Sequence, residues 1–248
     1  IMTDRLERTR WLIGDKGIDK LTASHVAVFG IGGVGGYVVE ALARSGVGEL
    51  TLIDNDRVHR TNFNRQIIAV RETEGMKKTE AMGRRIASID PDIQVHEYNS
   101  FFLPENSHQV DFSRFDYIVD AVDTVTAKLE IICRAVKEGI PVISSMGTGN
   151  KMDPGKLEVS DIYQTSGCPL ARVMRRELKK RGIPKLKVVY STETPMKPMD
   201  ASGTAQEITG RHLPASSAFV PPAAGLMLAS QVVMDLLKED GLWPLNLR

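Results

Sequence analysis

The sequence predicts an α/β protein with a mainly parallel central sheet flanked by helices. Three observations carry that reading. Short β-branched apolar runs alternate with amphipathic helical stretches through the first half of the chain, the order that parallel strands joined by crossover helices require. A glycine-rich turn, Gly30-Ile31-Gly32-Gly33-Val34-Gly35-Gly36, joins the first such strand to the first such helix. Asp90-Pro91 stops a later helix just before another strand run, because a residue preceding proline avoids helical backbone angles.

Taken in order, residues 25–30 (HVAVFG) form the first predicted strand, and residues 37–45 carry a helical apolar pattern ending at Gly46. Residues 49–54 (ELTLID) are the second strand and 77–89 an amphipathic helix. Further strands are expected over 93–98, 117–120 and 141–144, with a helix over 126–138 before the last of them. Beyond residue 151 the pattern loosens. Strands near 157–162 and 186–190 flank a helix at about 170–181. Residues 194–217, rich in Pro, Gly, Ser and Thr, are expected to be a mobile loop. The uncharged stretch 213–234 is long enough for a membrane span. Pro214, Pro221, Pro222 and Gly225 interrupt it, and Ser216, Ser217, Ser230 and Gln231 are polar. It reads as a loop feeding a buried or interface helix over about 223–237, with no stable membrane span.

The 248 residues suffice for one large domain, 1–248, with a sizeable core. Composition is that of an ordinary globular protein, 42% hydrophobic and 25% charged. A net charge of +1 excludes a polyanion binder by overall charge, so any nucleic-acid site must come from local clustering. Two cysteines, Cys133 and Cys168, cannot form a four-cysteine zinc site and suggest no disulfide framework. With no apolar signal segment in residues 1–20, a reducing, cytoplasmic setting is expected.

The glycine turn satisfies G-x-G-x-x-G through Gly30, Gly32 and Gly35, after a strand and before a helix. Such a turn, with Gly33 inside it, lets backbone approach a phosphate, and the helix N-terminus presents free N–H groups to the anion. Asp54, ending the second strand, has roughly the 20-residue spacing of a ribose-binding acid. Loop and acid together suit NAD as well as ATP. A second set of charges separates the two. Asp54-Asn55-Asp56 is followed by Asn62-Phe63-Asn64-Arg65-Gln66, by Lys77-Lys78 at a helix start, and by Asp120-Ala121-Val122-Asp123 at a strand end. Hydride transfer has no need of so many charges, whereas expulsion of pyrophosphate does. Arg and Lys neutralise phosphates, and Asp123 can hold a magnesium ion with some waters. The plainer readings are turn-forming asparagines, a solvated lysine pair, and Asp123 capping the helix near Thr126.

These segments resemble the ThiF/MoeB/HesA superfamily of adenylating enzymes, related to ubiquitin-activating enzymes. The resemblance lies in GIGGVGG, LIDND, NFNRQ, the lysine of GMKKTE, and DAVD. It implies a single Rossmann-like ThiF-type adenylating domain, with a nucleotide-binding half (1–150) and a substrate or interface half (151–248). It further implies ATP and Mg2+ as ligands. Asp54 would bind ribose, with Asp56 in the same site. Asn62, Arg65 and Lys78 would contact phosphates, with Gln66 beside them. Phe101 would pack on adenine, and Asp123 would be the metal and catalytic carboxylate. Arg10 matches an N-terminal arginine that reaches the partner subunit's nucleotide, which implies a homodimer. Within the superfamily, TRWLIGDKGIDKL, SMGTGNKMDP, CPLARVMRRELKKRG and FVPPAAGLMLA resemble the branch that dehydrates N6-threonylcarbamoyladenosine in tRNA. The implied reaction adenylates the threonyl carboxylate and closes a ring with loss of AMP. The alternatives are adenylation of the C-terminus of a ubiquitin-like or sulfur-carrier protein, with a sulfur-transfer partner, and a non-catalytic ATP-binding protein.

Cys168 precedes Pro169 at a helix start, where a thiol pKa falls; an acyl- or sulfur-accepting role stands against a plain helix entry. Cys133 falls in an apolar helix pattern and is expected in the core. Arg172, Arg175, Arg176, Lys179 and Lys180 share one helical face opposite Leu170, Val173, Met174 and Leu178. That face is either a footprint for the tRNA backbone or a solvated surface. The five histidines show no metal-ligand spacing along the chain.

Overall fold

The computed structural model describes residues 4–197, 199 and 214–242. Seven strands form one sheet in the order β3-β2-β1-β4-β5-β7-β6. They are β1 (His25–Phe29), β2 (Glu49–Ile53), β3 (Gln94–Tyr98), β4 (Tyr117–Asp120), β5 (Val142–Ser145), β6 (Leu157–Asp161) and β7 (Lys187–Ser191). All neighbours pair in parallel except β6, which runs antiparallel to β7. The helices are α1 (Glu7–Thr22), α2 (Gly35–Ser45), α3 (Lys78–Ile89), α4 (Val125–Glu138), α5 (Pro169–Lys180) and α6 (Val220–Glu239).

Burial on both faces explains the continuous apolar runs of the central strands. In β1 every residue is buried. Val26 and Val28 face one core with Val38, Leu42, Leu228 and Val232 of α2 and α6. Ala27 and Phe29 face the other with Phe102, Phe112, Ile131 and Ala135. The period of two along the strand sends alternate side chains to opposite helical layers.

Elements begin or end within a few residues of the positions expected, with two differences of substance. Helix α1 was not anticipated: its sequence is charged, it is interrupted by non-helical backbone at Gly14, and it buries only Gly17, Ile18 and Leu21. So narrow an apolar stripe gives little periodic signal. Helix α6 starts at Val220, earlier than expected, because Pro221 and Pro222 sit in its first turn, where a missing N–H costs nothing. Helix α6 is long and apolar enough to cross a membrane by composition, and 56% of its most apolar window is buried inside the protein. Most of the expected loop 194–217 lies outside the described residues.

At the strand-start edge, His25, Glu49 and His96 meet from β1, β2 and β3. His96 Nε2 lies 2.8 Å and His25 Nδ1 3.2 Å from Glu49 Oε1. Their sequence spacing conceals the cluster because sheet pairing, not chain proximity, assembles it.

Candidate active site

Strand order reverses between β1 and β4, and the crevice at such a point opens at the strand C-termini. Phe29 is paired with Ile53 on one side and Asp120 on the other. Gly30, Asp54 and Ala121–Asp123 therefore leave the sheet at one level. They line a cavity of about 810 Å³.

The glycine turn is tight for two identifiable reasons. Gly30 has φ +87°, and a side chain there would lie 2.7 Å from the Ala121 carbonyl oxygen. A Cβ on Gly35 would lie 1.7 Å from the Gly30 carbonyl oxygen. Asp54 secures the turn by accepting the Ile31 N–H at 2.6 Å, while its other oxygen accepts the Asp56 N–H at 2.8 Å. Gly32 and Gly33 face the cavity.

Asp56, Asn62, Arg65, Gln66, Lys78, Phe101 and Asp123 also line it. Lys78 is 5% exposed and donates from Nζ to Asp56 at 2.8 Å. Arg65 donates to the Thr61 carbonyl at 3.0 Å and the Asn64 side chain at 2.8 Å, with no carboxylate partner among the described residues. Burial pushes its guanidinium below the usual arginine range. Gln66 is buried, and its Oε1 has no partner among the described residues. Asn62 accepts the His59 N–H through its side chain, so it shapes its own turn as well as facing the cavity. Asp123 is exposed at the cavity; Thr124, not Asp123, precedes α4 as its cap residue, without a side-chain cap bond. Phe101 is 41% exposed at the same cavity.

Other expected residues lie outside this cavity or meet partners of their own. Arg10 is not in this cavity; it donates to Asp4 and Asp15 beside α1. Arg175 does not belong to an open basic face. It sits at the edge of the buried stripe of α5 and donates to the Thr165 carbonyl at 2.8 Å. Arg172, Arg176, Lys179 and Lys180 are exposed, but Glu177 accepts from Arg176, Lys180 and Arg181. Those cations hold the Glu177 carboxyl at a pKa of about 2, Arg181 foremost. Cys133 is half-buried rather than a full core residue. Cys168 caps α5, 3% exposed, and lines the cavity.

Two buried lysines escaped the sequence reading. Lys128 Nζ contacts Asp120 at 3.0 Å and the Ser145 carbonyl at 2.7 Å, with both ionic groups at or below 1% exposure. Ser144 donates to the same Asp120 oxygen at 2.5 Å. The second Asp120 oxygen accepts the Val122 N–H at 3.2 Å, which shapes the turn carrying Asp123. A signal existed: Lys128 occupies the apolar stripe of α4 with Ile131, Ile132 and Ala135, at the i, i+3, i+4, i+7 spacing of a core face. Lys151, 2% exposed, also lines the cavity.

The ThiF family profile matches residues 6–240. The tRNA threonylcarbamoyladenosine dehydratase of Bacillus subtilis (strain 168) is 40% identical over 245 residues, 96% of each chain. The Escherichia coli (strain K12) protein of that name is 39% identical over 175 residues, 71% of this chain and 65% of the relative. The crystal structure of the E. coli dehydratase TcdA in complex with ATP superposes with a TM-score of 0.86 at 32% identity, covering 97% of this chain and 98% of that one. Its AMP complex gives 0.87 at the same identity and coverage. The E. coli protein MccB, at 22% identity and a TM-score of 0.66, shares the fold. The chain thus belongs to the ThiF family, in the branch whose named members are tRNA threonylcarbamoyladenosine dehydratases.

Proposed function

We propose that this protein uses ATP to adenylate the threonyl carboxylate of N6-threonylcarbamoyladenosine in tRNA. A nucleophile within the modification then attacks the activated carbonyl and expels AMP. The net loss is one water from the nucleoside, with pyrophosphate and AMP as the other products. The observation that carries this reading is the meeting, in one cavity, of a glycine turn with Arg65, a half-buried cation with no carboxylate partner among the described residues. It is supported by relatives named for that activity, of which the E. coli protein is solved both with ATP and with AMP.

In this scheme the glycine-turn N–H groups and the start of α2 receive phosphate oxygens. Asp54 retains free lone pairs for the ribose hydroxyls, and Phe101 covers adenine. Arg65 and Lys78, with Asn62 and Gln66, bear the charge that develops on the departing pyrophosphate. Asp123, exposed at the cavity without a partner among the described residues, suits Mg2+, which takes one or two carboxylates and leaves its other positions to water and phosphate. When bound, that ion would neutralise phosphate charge.

A homodimer completes the scheme, with Arg10 acting on the partner's nucleotide. Trp11 (68% exposed), Leu12 (69%), Phe219 (56%) and Leu226 (50%) support it, since large apolar groups left in water favour association. Arg172, Arg176, Lys179 and Lys180 offer a contact for the tRNA backbone, in a cytoplasmic enzyme. A covalent step through Cys168 is unnecessary here, because the attacking group lies in the substrate.

The test is AMP release with and without tRNA carrying the modification, followed by mass analysis of the nucleoside. tRNA-dependent AMP and a nucleoside lighter by one water are expected. AMP formed instead with a small protein tail would replace the tRNA reading.

A further inference from the structure

The cavity contains a buried cation to which the reaction just outlined assigns no role. Lys151 lies before β6 and lines the cavity with Gly147, Asn150 and Cys168. Its Nζ donates to the carbonyl oxygens of Gly147, at 3.1 Å, and Ser191, at 3.2 Å. An ammonium has three N–H donors, so one has no acceptor among the described residues. No carboxylate comes within ion-pair distance of it among the described residues. Burial pushes the Lys151 ammonium below the usual lysine range, with Cys168 and then Glu193 opposing it, and Glu193 uses its carboxylate on the N–H groups of Met152 and Asp153.

Keeping an uncompensated charge out of water is costly, and two neutral carbonyls compensate it only in part. A lysine needed merely to tie two loops together could be replaced by a neutral donor. Its place in the fold suggests what supplies the missing counter-charge. Asp54, Arg65 and Lys78 lie on the β2 side of the crevice between β1 and β4. Gly147, Ser191 and Cys168 follow or end β5, end β7 and begin α5, on the other side. The triphosphate has its own cations, so Lys151 serves the group that arrives opposite.

We propose that Lys151 binds the carboxylate of the incoming acyl substrate, using its charge and its third N–H. This rests on the adenylation reading above. A carboxylate oxygen forms a bond to the α-phosphorus of ATP, the bond from that phosphorus to the bridging oxygen of the β-phosphate breaks, and pyrophosphate leaves with the electron pair. No proton is transferred. Lys151 holds the carboxylate against the triphosphate, which Arg65 and Lys78 hold, so that the two anions come close enough to react. Its hold weakens once the acyl oxygen is part of the mixed anhydride with AMP and the carboxylate charge is gone.

The experiment compares AMP formation by the full-length protein, Lys151→Met and Lys151→Arg with threonylcarbamoyl-modified tRNA, and measures ATP binding for each. A lost charge-assisted bond predicts kcat/KM for the tRNA lower by about 10- to 100-fold in Lys151→Met. The ATP Kd should stay unchanged, and Lys151→Arg should recover most of the loss. Unchanged kcat/KM in Lys151→Met overturns the proposal. So does a parallel loss of ATP affinity, or an arginine variant no better than methionine, since either makes Lys151 a tie between loops. Wild-type protein that forms no AMP with this tRNA would fail the adenylation reading itself, and the proposal with it.

Discussion

The Asp54 carboxylate accepts the backbone N–H of Ile31 at 2.6 Å, so the residue following the second strand holds the first turn of the glycine loop. One side chain thereby serves two ends: it fixes the loop that would receive phosphate and keeps lone pairs for the ribose. Removing it should affect nucleotide binding twice over. Asp54→Ala is expected to raise the ATP Kd by about 10- to 100-fold, the size of one charge-assisted bond. Isothermal titration checks this, and an unchanged Kd removes Asp54 from the nucleotide site.

The role proposed for Asp123 predicts a variant that folds but does not turn over. The residue is exposed and caps no helix, so Asp123→Ala should leave the melting temperature unaltered and AMP formation abolished. Retained turnover in a folded variant takes Asp123 out of the reaction.

Lys128 and Asp120 form a pair hidden from water. Breaking such a pair strands a buried charge, and Lys128→Met should cost about 3–5 kcal/mol in urea unfolding. The double change Lys128→Met with Asp120→Asn should cost less than the sum of its parts. Strict additivity would show that the two do not act as a pair.

Glu177 restrains the basic face of α5 by engaging Arg176, Lys180 and Arg181. Glu177→Gln should tighten tRNA binding and steepen its salt dependence, and Arg176→Glu should do the reverse. Filter binding across a salt series reads both. Indifference to both changes returns the face to plain solvation. Arg175→Ala is expected to act on stability through its Thr165 bonds, with no change in salt slope.

Burial pushes His25 below the ordinary imidazole range. The unfolded chain, titrating near 6.5, then binds more protons than the folded one between the two pKa values, so stability falls with acidification there. The contribution is present in full above about pH 6.5 and is lost below it. Melting temperature should drop as the pH falls below about 6.5, the unfolded value, and the drop should be shallower in His25→Gln. Equal slopes would assign the acid sensitivity to other groups.

Local signals determined much of this protein. Apolar runs with period two or 3.6, the glycine turn, and Asp90-Pro91 as a helix stop act through neighbours in the chain, so the alternating strands and helices were legible from the sequence. Residues leaving strand ends, such as Gly30, Asp54 and Asp123, were legible for a related reason. Parallel strands send all such residues to one edge, so order along the chain becomes proximity in space. Only the tertiary structure decided what each charge meets. Lys128 finds Asp120 in the interior, Arg175 turns to Thr165, and Glu177 gathers three cations. The cost of burying charge is set by partners drawn from separate elements, as when Ser191 of β7 and Gly147 after β5 both receive Lys151.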